Sequence, residues 1–471
     1  MKKFWIVLLA LGLVAGFAMS ASAADVKFSG SYYLTGIYAD NTGLTDKSLG
    51  TAQALYFQRL RVQTEFKVAE GLSLVTRFDA LEKKWGSGTG PDVTGWRASN
   101  SYDVTNRSSS GLAAARTQEN IEFERAYLDF TTKIGRFNIG YQNFVAWGTM
   151  FLDTHITRPG IKYFVPVGPL TIVAAIEKTV DRNTGAGTVS DGDADLYDLA
   201  AVYKFGAGDA GLLVQYNNNR SSRSPAATSA VAKLTAITPY AKMKFGPVYV
   251  EAEAIYGFGD LVKYDAVPAG ATDISAEALA FYISARADFG PAYVGGTFIY
   301  IRGDDWGTTD KVEGSLAAAL LAGDAFNPCL MLWSGEYTTW IGNFAGNAVG
   351  ANAYTASSNG ITTYMDNVWF YQIYGGFKPV KEADIMLSVT YAYADKKPRT
   401  AFGPVTGANL EFVSDVYGTE VDLVAKYKLF DNLEYMIGGA YLFTGDYFKG
   451  TNSAYKTENN YLLMHKLTLS F

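Results

Sequence analysis

The sequence is poor in residue types that several specialised sites require. Its 471 residues include one cysteine, two histidines and 13 prolines. One cysteine cannot form a disulfide framework, and together with two histidines it cannot form a Cys/His zinc site. Charged residues make up 18% of the chain, below the roughly 25% of soluble domains. The net charge of −6 lacks the basic excess of nucleic-acid-binding proteins. We therefore expect no disulfide, metal or cofactor, and no nucleic-acid partner.

Glycine and aromatic residues, in contrast, are abundant. The chain has 48 glycines, and aromatics reach 14%. Glycine costs about 1 kcal/mol at a helix-interior position, which argues against a mostly helical protein. The apolar content is too high for a disordered chain. The length suggests about three soluble domains, and one large barrel is the other way to use it.

The first residues predict export. The basic start Met1–Lys3 precedes an apolar run over 4–19 and the small residues Ser20-Ala21-Ser22-Ala23. This arrangement is typical of a secretory signal peptide, and an N-terminal membrane anchor is the alternative. We expect a signal peptide over 1–23 and a mature domain over 24–471. The sequence has no second run of about 18 apolar residues, so we predict no spanning helix.

Alternation of apolar and polar residues indicates strands along the whole mature chain. Over 419–429, Val421, Leu423 and Ala425 alternate with Glu420 and Asp422. Such segments run for about 10–13 residues, whereas soluble strands centre on 5–6. Their polar faces carry mid-strand charges, and their apolar faces begin and end in aromatics. The sequence predicts an all-β fold, a transmembrane antiparallel β-barrel, with a soluble β-sandwich as the alternative.

The alternating segments number eighteen, and short connections alternate with long ones. This matches long external loops and short periplasmic turns. Segment 160–166 is the weakest, and without it the count is sixteen. The predicted strands are 26–38, 53–67, 72–81, 120–132, 135–142, 160–166, 170–178, 196–205, 211–219, 231–245, 248–258, 278–289, 292–302, 367–378, 384–394, 417–430, 433–444 and 459–471.

The longest connection, 303–366, has features of its own. An Ala/Leu-rich stretch at 315–322, followed by Gly323, predicts a short helix. The apolar stretch 329–333 is unfavourable on an exposed loop. We expect it to fold into the lumen, and contact with a neighbouring protomer is the alternative. Cys329 is interpreted as a small apolar residue.

The same alternation assigns side chains to the lumen. Charges of both signs there set up a field across a pore and tune ion selectivity. Because basic residues slightly outnumber acidic ones on this face, we expect weak anion preference or none. The predicted pore-lining residues are Arg59, Arg61, Arg77, Arg125, Tyr127, Asp129, Lys242, Lys244, Glu251, Glu253, Arg286, Asp288, Glu420, Asp422 and Lys426.

Four of these arginines suggest a selectivity wall. Arg59, Arg61 and Arg125 fall on nearby strands, with Arg77 between them. We hypothesise a basic wall opposed by Asp153 or another lumenal acid. The alternative is a set of ordinary lumenal ion pairs.

No catalytic site is predicted. A Ser/His nucleophile needs its histidine beside a serine, but His465 falls on the lipid face and His155 lies in a loop. We expect passive diffusion of ions and small hydrophilic solutes. The alternatives are a substrate-selective channel or export conduit, and a structural or adhesive barrel or sleeve for a partner protein.

The chain resembles Gram-negative outer-membrane porins in four segments: the signal peptide with the first strand at 26–33, then 124–130, 135–142 and the final strand ending in Phe471. The style is similar to the trimeric porins of sulfate- and metal-reducing bacteria. The resemblance implies an outer-membrane location after Sec export, contact with outer-membrane lipid and a homotrimer. It also implies that Phe471 is the signal read by the outer-membrane assembly machinery.

The resemblance further suggests where the pore narrows. Arg125-Ala126-Tyr127 matches the pore-facing arginine of the fourth strand in general porins, whereas Gly140-Tyr141 lacks the second arginine of the next strand. The third external loop of such porins folds into the lumen. Its counterpart here carries the constriction candidates Asp153, His155 and Arg158.

Overall fold

A computed structural model shows a closed antiparallel barrel of eighteen strands, as the sequence predicts. The structure describes residues 25–44, 52–85, 121–144, 146–152, 156–182, 192–223, 229–314, 326–342, 344–349, 359–361, 365–400 and 410–471. The predicted signal peptide, 1–23, lies outside the described residues. Within them, no helix is long and apolar enough to cross a membrane.

Twenty-one strands form along the described chain, and β1–β13 with β17–β21 make up the barrel wall. Their bounds are β1 Asp25–Ala39, β2 Gln53–Ala69, β3 Leu72–Lys84, β4 Glu122–Thr132, β5 Gly135–Asn143, β6 Thr157–Val167, β7 Leu170–Val180, β8 Ala194–Phe205, β9 Gly208–Asn219, β10 Ala230–Phe245, β11 Val248–Tyr264, β12 Ile274–Phe289, β13 Ala292–Ile301, β14 Lys311–Val312, β15 Phe344–Val349, β16 Asn359–Ile361, β17 Val368–Phe377, β18 Ala383–Tyr393, β19 Val416–Phe430, β20 Leu433–Thr444 and β21 Asn460–Ser470.

Smaller elements lie in the long connections. Strand β14 pairs in parallel with β12, and β15 pairs with β16 in a separate two-stranded sheet. Helix α1 spans Gly335–Trp340, and a 3₁₀ helix spans Asp446–Lys449. The predicted helix at 315–322 lies outside the described residues.

Closure of the wall joins the first and last strands. Ser31 of β1 lies opposite Arg61 of β2 on one side and Ser470 of β21 on the other. Gly30 and Phe471 exchange backbone hydrogen bonds of 2.7 and 3.0 Å. A closed sheet leaves no edge with unpaired backbone groups. The C-terminal residue is therefore part of the seam of the barrel.

The weakest predicted strand is a full member of the wall. Strand β6 has 11 residues and pairs along its length with β5 and β7. The sixteen-strand alternative is therefore wrong. Strands β11 and β12 extend further toward the loops than predicted, to Tyr264 and from Ile274. Their added residues are polar enough to continue the hairpin beyond an apolar band.

The outside of the wall is apolar and exposed. Leu199, Leu423 and Leu463 are more than half exposed on this face. On the opposite face of the wall, side chains such as Thr390 of β18 and Glu420 of β19 are fully buried. Exposed aromatics, including Tyr391 and Phe471, lie near the two ends of the band. Such a surface is stable in contact with lipid, with aromatic girdles at the two interfaces.

A charge placed on this outer face should destabilise the barrel. We expect Leu423→Arg to lower the free energy of unfolding by about 2–4 kcal/mol, because its guanidinium would face hydrocarbon near mid-membrane. The measurement is reversible denaturant unfolding in lipid vesicles. Thr468→Arg is the control, because position 468 faces the lumen and lies opposite Glu434. Equal losses for both variants would contradict the assignment of faces.

Candidate functional site: the barrel interior

The interior is divided between charged side chains and a buried apolar core. The core draws on β11–β13, β17–β21 and the loop ends of β1 and β2. Two inserted loop segments complete it, and we name them segment A (146–152) and segment B (326–342). The strands from β3 to β10 contribute no member of this core among the described residues. Their inward faces carry the densest charge.

Segment A is held against the wall by a buried glutamate. Glu253 of β11, 1% exposed, accepts hydrogen bonds from the backbone N–H of Thr149 at 2.8 Å and from its hydroxyl at 2.6 Å. Lys242 Nζ donates to the Gly148 carbonyl at 3.0 Å. Trp147 Nε1 donates to the Thr238 carbonyl at 3.1 Å. The carboxylate therefore replaces backbone partners that an inserted loop would otherwise lack.

Segment B is held by a second buried glutamate. Glu420 of β19 is fully buried and accepts from the backbone N–H groups of Met331 at 2.8 Å and Leu332 at 2.7 Å. Gln372 Nε2 donates to the Pro328 carbonyl at 2.6 Å. Cys329 Sγ lies 3.4 Å from Thr390 Oγ1. The apolar stretch 329–333 thus lies among inward-facing side chains of β17, β18 and β19.

The rest of segment B crosses to the opposite end of the same sector. Ser334 caps helix α1 by accepting from the Tyr337 N–H at 3.2 Å. At the end of the helix, Trp340 stacks on Phe57 of β2 with ring centroids 4.4 Å apart. Glu336 forms an ion pair with Lys466 of β21. Segment B therefore contacts the wall from β17 round to β2.

The two segments meet inside the barrel. Phe151 of segment A stacks on Tyr282 at 5.2 Å and packs edge-on against Phe326 of segment B at 5.7 Å. Phe326 also packs edge-on against Tyr282. Together the segments fill the sector formed by β11–β21, β1 and β2 at this level. The sector from β2 to β10 is the charged side, and its edge at β10 also contacts segment A through Thr238 and Lys242.

The four arginines lie together on this charged side, but the predicted wall of one sign is wrong. Arg61 forms a bidentate pair with Asp79 at 2.7 Å, and both Arg61 and Arg77 contact Glu124. Arg59 lies 3.9 Å from Asp79. The acids belong to β3 and β4, so they lie in the same wall rather than across the pore. Three carboxylates, those of Asp79, Glu82 and Glu124, intersperse the arginines.

Glu124 is absent from the predicted pore-lining residues because of a β-bulge. Strict alternation along β4 places Arg125 on the inner face and Glu124 on the outer face. The pairing of β3 with β4 instead shifts register between Arg77 and Phe78. A bulge lets two consecutive residues oppose one, so both side chains reach the interior. Two adjacent charged residues, Glu124 and Arg125, interrupt the alternation of β4, and this interruption was the sequence signal for the bulge.

A second mixed cluster lies on β6–β8. Arg158 pairs with the fully buried Glu177 at 2.9 Å. Lys162 donates to the Asn143 carbonyl at 2.5 Å and lies over the Phe144 ring. Asp198 accepts from Gln215 at 2.9 Å. Of the three constriction candidates, Arg158 is placed here, whereas Asp153 and His155 lie outside the described residues.

Three predicted pore-lining acids face inward but do not line an open passage. Glu253, Glu420 and Asp422 are at most 2% exposed, because segments A and B cover them. This corrects the prediction: alternation identifies the face of a strand but cannot show what covers it. Inward-facing positions such as Ile299, Ile301 and Leu462 are apolar toward the loop end, and that was a sequence signal for an inserted core.

The other predicted pore-lining residues lie on the inner face, and several of them have partners nearby. Asp129 pairs with Arg136, Arg286 with Asp288 at 2.8 Å, and Lys426 lies 3.8 Å from Glu434. Glu251 accepts from two tyrosine hydroxyls, those of Tyr249 at 2.8 Å and Tyr282 at 2.6 Å. Lys244 and Tyr127 face inward at strand positions opposite Tyr249 and Val75 respectively.

His465 lies on the outer face, as alternation predicts. Its ring packs edge-on against Tyr56, with Nε2 3.4 Å from the Tyr56 hydroxyl. The ring also covers the bare Cα of Gly36 on β1. This histidine therefore acts as a packed wall residue.

In segment B, which lies outside the spanning strands, burial is the main cause of the pKa shifts of Cys329 and Tyr337. Burial raises the pKa of the Cys329 thiol well above its usual range. The Tyr337 hydroxyl in helix α1 has its pKa raised for the same reason. Burial therefore favours the protonated, neutral form of both groups when no cation is bound.

Gly148 is the hinge on which segment A depends. Its φ of +60° favours glycine, and an added Cβ would collide with the Glu253 carboxylate. We expect Gly148→Ala to lower thermal stability by more than the roughly 1–3 kcal/mol of backbone strain alone. Gly168→Ala is the matched control, since its φ is +58° and nothing lies within 4 Å of the added Cβ. Equal losses in thermal unfolding would contradict a clash with Glu253.

Comparison with known proteins bears on the fold. No protein-family model matches the sequence, and no curated protein matches it. Among solved structures, OccK9 (OpdG) of Pseudomonas aeruginosa has a TM-score of 0.50 at 13% identity, over 94% of this chain and 99% of that chain. OccAB3 of Acinetobacter baumannii has a TM-score of 0.50 at 10% identity, over 94% and 100%. At these identities the similarity shows that this chain shares their barrel fold.

Proposed function

We propose that the protein is a channel for passive diffusion of ions and small hydrophilic solutes across the outer membrane of a Gram-negative bacterium. The observation that carries the proposal is the inversion of polarity across one wall. The outer face is an exposed apolar band, whereas the inner face from β2 to β10 carries paired charges. An inner face with this density of charge is typical of a wall that borders a water-filled lumen, which supports a polar passage in that sector.

The inserted segments set the width of this passage. Segments A and B fill one sector with side chains that are buried among themselves. Solutes therefore pass on the charged side, beside Arg59, Arg61 and their acidic partners. In this proposal the mixed cluster on β2–β4 supplies the local field that solutes experience.

A substrate-selective channel is a second candidate, favoured by the two inserted segments. A passage narrowed by packed protein discriminates between solutes more strongly than an open barrel. We also propose the finer features that the sequence resemblance implies: a signal peptide over 1–23, Sec export, a homotrimer related to the porins of sulfate- and metal-reducing bacteria, and Phe471 as the assembly signal. No catalytic role is part of the proposal.

Channel activity is tested by reconstitution. The purified barrel should give discrete conductance steps in planar bilayers, and vesicles containing it should swell with small sugars at a rate that falls with solute size. A general channel would show a smooth size dependence, whereas a selective one would favour particular solutes of equal size. Absence of conductance from folded protein would refute the diffusion proposal.

The arginine cluster should influence ion preference. Combined replacement of Arg59, Arg61 and Arg125 by Gln removes three positive charges beside Asp79, Glu82 and Glu124, while Arg77 still pairs with Glu124. We therefore expect the reversal potential under a salt gradient to shift toward cation selectivity. Arg286→Gln is the control, because Arg286 pairs with Asp288 on β12, away from this cluster. An unchanged reversal potential in the triple variant would show that the cluster only stabilises the wall.

Segment B should narrow the passage through its bond to Glu420. Glu420→Ala removes the acceptor of two buried N–H groups, at a cost of about 1–3 kcal/mol for each unsatisfied donor. We expect larger or noisier single-channel conductance. Asp384→Asn is the control, because Asp384 is a lumenal carboxylate bonded to Tyr293 and not to segment B. If Glu420→Ala had the same conductance as the unaltered protein, segment B would not determine the pore width.

A further inference from the structure

Three metal-ligand side chains converge where segment B meets the barrel wall. Cys329 Sγ and one carboxylate oxygen each from Glu420 and Asp422 lie within 4.8 Å of one another. Glu420 and Asp422 are two residues apart on β19, so both point into the barrel. Cys329 reaches them only because segment B folds onto the wall. All three side chains are buried.

The two carboxylates lack a compensating cation among the described residues. No lysine or arginine in this part of the chain forms an ion pair with Glu420 or Asp422. Asp422 is 2% exposed, and its Oδ2 accepts from the Ser388 hydroxyl at 3.2 Å. The Leu330 N–H and the Glu420 carboxyl lie beside Asp422, but among the described residues no hydrogen bond of standard geometry reaches its buried Oδ1.

Two adjacent buried carboxylates are costly unless a positive charge neutralises them. That charge can be a shared proton or a metal ion. The nearby thiol makes the metal ion a specific alternative that can be tested, because a thiolate is a strong ligand for borderline and soft metals.

We propose that Cys329, Glu420 and Asp422 form a binding site for a zinc-like divalent cation. Cysteine sulfur and carboxylate oxygen are both zinc ligands, and three protein ligands leave a fourth tetrahedral position open. Without a bound cation, Cys329 Sγ donates to Thr390 Oγ1 at 3.4 Å, and metal binding would replace this hydrogen bond. The site joins a loop segment to the wall, so the bound cation would fix segment B inside the barrel.

The chemistry is ligand exchange without oxidation or reduction. On binding, the Cys329 thiol loses its proton to water, and so does any proton shared by the carboxylates. Zn–S and Zn–O distances of about 2.3 and 2.1 Å place the ligand atoms roughly 3.6 Å apart. Since the three atoms lie within 4.8 Å of one another, small side-chain rotations suffice to close the site.

The single cysteine makes the test specific. Cd²⁺ bound by a thiolate gives an ultraviolet charge-transfer band, and in this protein the thiolate can only be Cys329. Titration of the folded barrel in detergent with Cd²⁺ should produce this band, saturating at one ion per chain. Zn²⁺ should compete for the site, and binding should release protons. The assay measures binding alone, so its failure is distinct from failure of the channel proposal.

Variants test the carboxylates separately from the thiol. Asp422→Asn keeps Cys329 and should weaken Cd²⁺ binding by about tenfold or more. Asp384→Asn, which alters a lumenal carboxylate outside the cluster, should leave the affinity unchanged. Each variant is first checked for the compact electrophoretic mobility of a folded barrel. No band with folded protein, or equal affinity in Asp422→Asn, would overturn the metal site and leave a shared proton as the neutralising charge.

Discussion

The interior of the barrel depends on carboxylates that bind loop backbone. An external loop that folds inward exposes N–H groups to a place where neither strand nor water satisfies them. Glu420 accepts from two such N–H groups, and Glu253 accepts from one N–H group and the Thr149 hydroxyl, at 2.6–2.8 Å. A charged acceptor makes these bonds about twice as strong as neutral ones. Without them, segments A and B would leave buried donors unpaired, and the apolar core around Trp333 and Phe151 would lose its inner layer.

The same arrangement carries an electrostatic cost that the two sites meet differently. Near Glu253, Lys242 donates to the neighbouring Gly148 carbonyl and lies 3.5 Å from Asp209, which brings a cation to that region. Near Glu420 there is a second carboxylate, Asp422, and no ion-paired cation among the described residues. Because of this difference, an added positive charge is needed at the carboxylates of β19 and not at Glu253 of β11.

The sequence determines the wall almost completely, because a strand in lipid has to alternate. All eighteen strands could be predicted, including β6, whose short apolar run lacked charge alternation. The wrong predictions concern side chains whose position does not follow from the alternation of apolar and polar residues. A bulge beside Arg77 turned Glu124 inward, and tertiary docking buried Glu253 and Glu420 beneath loops. The cluster of Cys329 with Glu420 was equally invisible, since it joins a loop residue to a strand remote in the sequence.

Dividing the interior into two sectors resolves a conflict between stability and passage. A barrel of eighteen strands encloses more volume than wall side chains alone can fill, and a water-filled lumen contributes no apolar core. Here the sector from β11 to β2 is packed by segments A and B, as in a soluble core, with residues such as Met331 and Tyr337 fully buried. The sector from β2 to β10 keeps its charges paired within the wall. Pore width is thereby coupled to loop docking. Any change that releases a segment both enlarges the passage and removes core packing, so conductance should rise as the stability of the barrel falls.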